Sequence, residues 1–414
     1  MNLELLEKSF VTYRTETSTS NTRLESPVTH QKELLDDEHI GDLYKYYWYL
    51  TVHAMDSTKT SIASMLENGD WDSARNCFET CPEMINVIDP LTGGTLLHRL
   101  CSHPPAPIDL YETVIKHFPD AVRTQEKTFQ ATPLHMLCWT SQRTTAKVEL
   151  LLQHMHPDDL KIRNMFGGTA LHSACGSQAS IDVIKLIVQK NPSIISEKTY
   201  DYNHTALSAL WQTHLQSIQG HMQIARILKG DDVNESHFDR FWEKVVFLAK
   251  EGFYQSPYCP DNLPRDSTDF ALHGLIHLRA PLNLLKVALR RHPEWASIAD
   301  SDGNYPLHVV VIRRPFRLKD KEIIQMLLQV YPKAAGERNN AGDSPIFIGV
   351  RDKMAWDEGL KEIVQGNTDV LGTSDTETGL YPFLLASSLD GRNAVETSYQ
   401  LLCERPDLVK QAIF

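Results

Sequence analysis

The sequence lacks most of the features that mark an enzyme, a membrane protein or a nucleic-acid binder. No apolar stretch approaches the roughly 20 residues that span a bilayer. Met1-Asn2-Leu3-Glu4 is not followed by the apolar core of a secretory leader, so neither export nor membrane insertion is expected. Basic residues come in pairs, Arg290-Arg291 and Arg313-Arg314, and never in patches. With 41 Lys and Arg against 53 Asp and Glu, the formal net charge is −12. Phosphate recognition needs concentrated cations, so nucleic acid is not an expected partner. There are seven cysteines, an odd number, and three of them recur at one equivalent position. That is no disulfide framework, and it points to a reducing compartment, the cytoplasm or the nucleus. A Gly-rich phosphate loop, a serine nucleophile elbow and the kinase signature are all missing. No active site is visible, and no cofactor is expected.

What the chain does contain is repetition. Thr132-Pro133-Leu134-His135 reads as a helix start, with Thr as an N-cap and Pro at the first helical position, where its missing N–H costs nothing. Thr95-Leu96-Leu97-His98 precedes it by 37 residues, and Thr169-Ala170-Leu171-His172 follows it by 37. A cysteine stands three residues after each His: Cys101, Cys138 and Cys175. Thr205-Ala206-Leu207-Ser208, Phe270-Ala271-Leu272-His273, Tyr305-Pro306-Leu307-His308, Ser344-Pro345-Ile346-Phe347 and Tyr381-Pro382-Phe383-Leu384 continue the phrase. A second apolar helix is expected after each start, as at Leu110–His117, Val148–Met155 and Ile181–Gln189. Proline then stops the chain in register, at 82, 119, 157, 192, 293, 332 and 406. Fixed-period self-similarity of this kind means stacked units, each burying its neighbour.

The organisation follows from this. Ten of the 21 residues from Ser9 to Thr29 are Ser or Thr, so residues 1–36 read as a flexible tail. Ile40, Leu43, Tyr47, Leu50 and Ala54 share one helical face, so 37–56 reads as an amphipathic helix docked on the array. The repeat domain is expected at 57–414, with a capping unit around Ile62–Thr80 and an early stop at Phe414 that suggests a C-terminal cap. Leu272 follows Leu207 by 65 residues, which leaves roughly 29 residues beyond one repeat. This insertion is assigned to about 212–235, with a smaller piece at 256–267, and Phe241–Leu248 to the displaced second helix. The apolar residues Leu215, Ile218, Met222, Ile224, Ile227 and Leu228 would make the insertion an amphipathic helix that buttresses the array or offers a binding face.

The full phrase Thr132-Pro133-Leu134-His135, with one-position departures at 95–98, 169–172 and 305–308, resembles the opening of the ankyrin repeat. The resemblance covers about 57–414. It implies an all-α helix-turn-helix solenoid with short hairpin fingers, about eight repeats and an N-terminal capping unit. The spacing of 35 to 39 residues, against the family's 33, and the Pro-containing turns suggest a divergent subfamily. The resemblance further implies a non-enzymatic scaffold or adaptor, expected to be a monomer, that binds a protein partner on its concave helix and finger surface. It implies a structural role for the repeated His, bonded to backbone in the hairpin turns.

Two sets of residues then compete as the site. The His-x-x-Cys pairs share a helix face and would serve a metal-dependent or enzyme-associated protein. Against this, helices in successive repeats pack roughly 8–10 Å apart, too far for one metal to bridge, and Cys suits a small buried position. His273 and His277 have an i, i+4 spacing without the activating Glu, and Asp231–Glu235 lacks the loop Gly of a calcium site. No metal is expected. The other set is aromatic. Three residues before the caps stand Thr92, Phe129, Phe166 and Tyr202, which would form a ladder along the fingers near Trp139. Phe129, Trp139, Phe166 and Tyr202 are the expected protein-binding residues, since exposed aromatics anchor interfaces. The competing role is packing between hairpins.

Overall fold

The computed structural model describes residues 61–102, 106–140, 143–200, 203–231, 236–261, 269–313, 315, 318–391 and 393–408. The expected tail (1–36) and docking helix (37–56) lie outside these residues, as do Tyr202 and parts of both insertion segments. Helices α1 (Ser61–Glu67) and α2 (Trp71–Thr80) precede eight helix starts. Four units come first: α3 (Leu96–Ser102) with α4 (Ile108–His117), α5 (Pro133–Trp139) with α6 (Thr145–Gln153), α7 (Ala170–Gly176) with α8 (Ile181–Lys190), and α9 (Ala206–Gln216) with α10 (Ile218–Lys229). A 19-residue helix, α11 (Ser236–Tyr254), intervenes. Four more units follow: α12 (Ala271–His277) with α13 (Leu282–Arg291), α14 (Pro306–Ile312) with α15 (Leu318–Val330), α16 (Pro345–Arg351) with α17 (Leu360–Gly366), and α18 (Pro382–Ser388) with α19 (Ala394–Glu404). First helices pack on first helices from α3 to α9 and from α12 to α18, and second helices on second from α4 to α8 and from α10 to α17, so the result is an all-α solenoid of ankyrin type.

Apolar side chains at fixed offsets build this stack. Leu97, Leu134, Leu171, Leu207, Leu272 and Leu307, the leucines of the repeated phrase, are each no more than 1% exposed. Burying a leucine contributes roughly 1.5–3 kcal/mol, and these line the seam between first helices. Second helices bury a two-by-two face, as in Val183, Ile184, Ile187 and Val188 of α8 or Ile323, Ile324, Leu327 and Leu328 of α15. Pairs at i, i+1, i+4 and i+5 make one stripe on a 3.6-residue helix.

The prolines do more than stop helices. Pro82, Pro119, Pro157, Pro192, Pro293 and Pro332 each open a short 3-10 turn. The clash of the proline ring with the preceding residue expels that residue from the helical region. Phe118, His292 and Tyr331 accordingly adopt φ of −134°, −136° and −134° with ψ of 75°, 65° and 80°. The chain thereby turns towards the next finger.

The segment assigned to the insertion is helical. Ser217 alone separates α9 from α10, and α10 packs on α9 and on α13 of the next unit, as a second helix does. Phe241–Leu248, expected to be the displaced second helix, lies inside α11. That helix runs along α12, with further contacts to α8, α9 and the Pro192–Ser196 turn. Two glycines permit the close crossing: a Cβ on Gly274 would run into the Ala249 carbonyl oxygen, and one on Gly252 into Leu278.

Candidate interaction surface

Each unit presents a short finger between the 3-10 turn and the next first helix. Asp89, Glu126, Asn164, Asp300, Asn339 and Asp375 open the fingers and accept N–H bonds from the turn residues with their side chains. Examples are Glu126 from Phe129 N–H at 2.7 Å and Asn339 from Asp343 N–H at 2.9 Å. Two residues before seven of the caps the chain takes positive φ: Gly93, Gly167, Gly303, Gly342 and Gly379, but also Gln130 (52°) and Asn203 (56°). Glycine holds that conformation without a Cβ penalty, and a Cβ at Gly167 would also strike the Tyr200 backbone nitrogen.

The repeated histidines lock finger to helix. His98, His135, His172 and His308 accept at Nδ1 the backbone N–H of their own caps, Thr95, Thr132, Thr169 and Tyr305, at 3.1–3.3 Å. Their Nε2–H groups donate to the carbonyls of Ala131, Gly168, His204 and Asp343, each one residue before the next unit's cap, at 3.1 Å. His273 makes the same bond to Asn304 at 3.0 Å, but its unit begins with Phe270, and its Nδ1 has no hydrogen-bond partner. Burial lowers all five from 6.5 to about 4, the charged form being the one disfavoured. With Nδ1 accepting and Nε2 donating, one neutral tautomer is selected and no nitrogen of His98, His135, His172 or His308 is left for a metal. The thiols beside them are fully buried, and burial pushes Cys138 and Cys175 up to about 12. Among the described residues, no group of three or more His, Cys, Asp or Glu could hold a metal ion.

The fingers join edge to edge. Lys127 N–H donates to the Thr92 carbonyl at 2.6 Å, Met165 N–H to Phe129 at 2.7 Å, and Tyr200 N–H to Phe166 at 3.4 Å. Asn340 N–H donates to Asp302 at 2.8 Å in the later units. The equivalent position of the first finger is Pro90, which has no N–H to extend the ladder. Side chains reinforce the rungs: Gln125 Nε2–H reaches the Arg163 carbonyl at 2.9 Å, and Arg163 reaches the Lys198 carbonyl and the Glu197 carboxylate. Arg338 likewise donates to the Ser374 carbonyl at 3.1 Å.

The expected aromatic ladder is only partly on the outside. Phe129, expected exposed, is buried at 6%, because its ring stands edge-on to Trp139 with centroids 6.4 Å apart. Trp139 and Phe166 are half-buried. The prominent tip residues are two that the fixed offset from the caps missed, Leu91 at 63% and Tyr200 at 68% exposure. Tyr200 also carries the Arg163 guanidinium 5.3 Å from its ring centroid. A hydrophobe inside a turn, as in Pro90-Leu91-Thr92, was the available signal. In the later fingers the corresponding tips are Ser301, Asp302, Asn340 and Thr376.

No family model and no curated protein matches the chain. Among solved structures the chain is similar to an ankyrin repeat protein from Leishmania major, at 16% identity over 76% of this chain and 96% of that one, with a TM-score of 0.34. It is also similar to the ankyrin repeat domain of Bcl-3, described as a unique member of the IkappaB protein family, at 16% identity over 66% of this chain and 99% of that one, with a TM-score of 0.29. Five units in which a histidine reaches from a first helix to the carbonyl before the next one show the structural role that the resemblance to the ankyrin repeat implies for that histidine.

Proposed function

We propose that the chain is a non-enzymatic scaffold that binds a protein partner across the fingers and first helices of its first four units. The observation that carries this reading is the row of tips bearing Leu91, Phe166 and Tyr200, held at fixed spacing by backbone rungs. An apolar row that is rigid before binding loses little entropy on association, and aromatic anchors supply most interface energy. Trp139, Phe166 and Tyr202 are proposed contacts, joined by Leu91 and Tyr200; Phe129 supports Trp139 from beneath. None of the seven cysteines is in a disulfide, and the proposed setting is a monomer in a reducing cytoplasm or nucleus.

Affinity capture with the full chain tests this. A Leu91→Ser, Phe166→Ser, Tyr200→Ser variant should lose its captured partner at least tenfold while its thermal midpoint stays close to that of the parent. Unchanged capture by the folded variant would refute the surface. Phe129→Ser should instead lower stability by about 2 kcal/mol, because it empties a packed aromatic site.

A further inference from the structure

One helix end gathers positive charge from several directions. The end of α7 and the turn after it accept three bonds in succession: Thr213 Oγ1–H at the Gly176 carbonyl (3.1 Å), Arg143 Nη2–H at Ser177 (2.8 Å) and Lys244 Nζ–H at Gln178 (3.4 Å). Thr213 comes from α9, Arg143 from the loop between α5 and α6, and Lys244 from α11. His237, Arg240 and Lys244 recur at steps of four and three, so they share one face of α11. His214 of α9, 2% exposed, stacks on Phe241 with ring centroids 3.8 Å apart, and the His237 ring stands 6.2 Å away. A single cation at a helix end is ordinary, and Arg338 also donates to two carbonyls. Here several converge. Burial lowers His214 to about 4, and the charges of His237 and Lys244 add to it. Burial also lowers Lys244, and the charges of Arg143 and Arg240 add to that. Arg99, Arg163, Arg313 and Arg351 each meet a carboxylate. Among the described residues Arg143, Arg240 and Lys244 form no ion pair and donate to carbonyls instead. The carboxylate that acts on Lys244 is Glu243, which also meets Lys185 at 3.7 Å. Arg143 Nε, His214 Nε2 and His237 Nδ1 are buried without a hydrogen-bond partner, which is costly.

We propose that Arg143, Arg240 and Lys244, with His214 and His237 beside them, form a binding site for a phosphate group, free in solution or carried on a phosphorylated segment of a polypeptide. The donor count selects this ligand. An ammonium has three N–H groups and Lys244 uses one, while Arg143 retains its Nε–H and Arg240 its terminal guanidinium nitrogens. A phosphate monoester brings about −1.5 to −2 charges and three acceptor oxygens, enough to meet several of these donors at once. Its geometry also suits the guanidinium fork. A carboxylate brings one charge and two oxygens and would leave most of the repulsion in place. A nucleic-acid strand needs a longer run of cations than one face of α11 supplies, and the net charge of −12 opposes it.

Titration calorimetry on the full chain tests this at neutral pH and constant ionic strength. The probes are inorganic phosphate, a short alanine peptide with a central phosphoserine, the same peptide unphosphorylated, and succinate. Saturable binding of one phosphate group per chain is expected, at least tenfold weaker in an Arg240→Gln, Lys244→Gln variant. Lys116→Gln with Lys229→Gln removes the same charge from exposed positions elsewhere and should leave binding unchanged. Arg240 is itself exposed, so Arg240→Gln alone, with an unshifted thermal midpoint, keeps the test valid if the double variant unfolds; it should weaken binding at least threefold. Tighter binding of the phosphopeptide than of inorganic phosphate would identify a phosphorylated segment as the source, and the reverse would identify the free ion; both support the site. Absence of saturable binding would overturn the proposal. So would affinity unchanged by Arg240→Gln in the folded protein, equal weakening by the Lys116→Gln, Lys229→Gln control, or succinate or the unphosphorylated peptide binding as tightly as phosphate.

Discussion

The first three units and the seventh solve one problem in two ways. A first helix must be tied to the finger that follows it. In α3, α5 and α7 a neutral, buried histidine does this through one N–H···O=C bond. The seventh unit has Phe347 at that position, and Arg351 at the end of α16 takes over. Its guanidinium bonds Asp343 of its own finger at 2.5 Å and Asp375 of the next. Burial works to raise Asp375, whose side chain is fully inaccessible, yet bonds from Thr378 and Arg351 outweigh it and hold the carboxyl below 3.8. The lesson is that the fold requires a donor reaching the next finger, and either a hydrogen bond or an ion pair meets that requirement. The two solutions fail under different conditions.

Acid should separate them most strongly. The clamp histidines bind protons near pH 6.5 when unfolded but only near pH 4 when folded, so the unfolded chain holds more protons between those values. Their contribution is therefore complete above about pH 6.5 and is lost as pH falls towards 4, by about 3 kcal/mol for each histidine. The Arg351 tie runs on a depressed carboxylate, so it persists to lower pH and fails only as Asp375 protonates. Hydrogen exchange at pH 7 and pH 5 should show α3, α5 and α7 losing protection while α16 and α18 retain it. Uniform loss would break the comparison.

Next in size is the junction between the two halves. Gly274→Val drives a branched side chain into the Ala249 backbone, and about 4 kcal/mol of stability should be lost in urea unfolding. Proteolysis should then cut between α11 and α12 first. Arg351→Met leaves Asp375 buried without its cation and should cost about 3 kcal/mol, with Arg351→Lys recovering only part, since Lys lacks the planar fork. The smallest change should be a gain. Gln130 holds a positive φ that five other fingers give to glycine, so Gln130→Gly should raise stability by about 0.5–1 kcal/mol, measured as a higher thermal midpoint. A fall would mean that the Gln130 side chain contributes more than its backbone costs.

Much of this was legible in one dimension because repeats write their contacts periodically. The Thr-x-Leu-His phrase and its variants marked the first helices, and prolines marked six of the turns, since each acts on its own or a neighbouring unit at a fixed offset. Where contacts skip that period the reading fell short. Phe129 and Tyr200 occupy related turns, yet one ring faces Trp139 and the other solvent. A fixed offset from the cap does not encode that, because Phe129 stands three residues before its cap and Tyr200 five before its own, and what each ring meets is set by packing against neighbouring elements.

The sequence alone determined the all-α repeat class and the eight starts, because these follow from local capping and from burial at a constant period, while the structural part of the histidines was implied by the resemblance to the ankyrin repeat. Tertiary structure alone decided that α11 lies along α12, that Arg351 replaces a histidine, and that Ile218 and Met222 face outward. Each of those depends on the approach of segments far apart in the chain, at Gly274 against Ala249, at Arg351 against Asp375, and at α10 against α13. Packing between such segments is set by shape and charge in three dimensions, and no local pattern carries it.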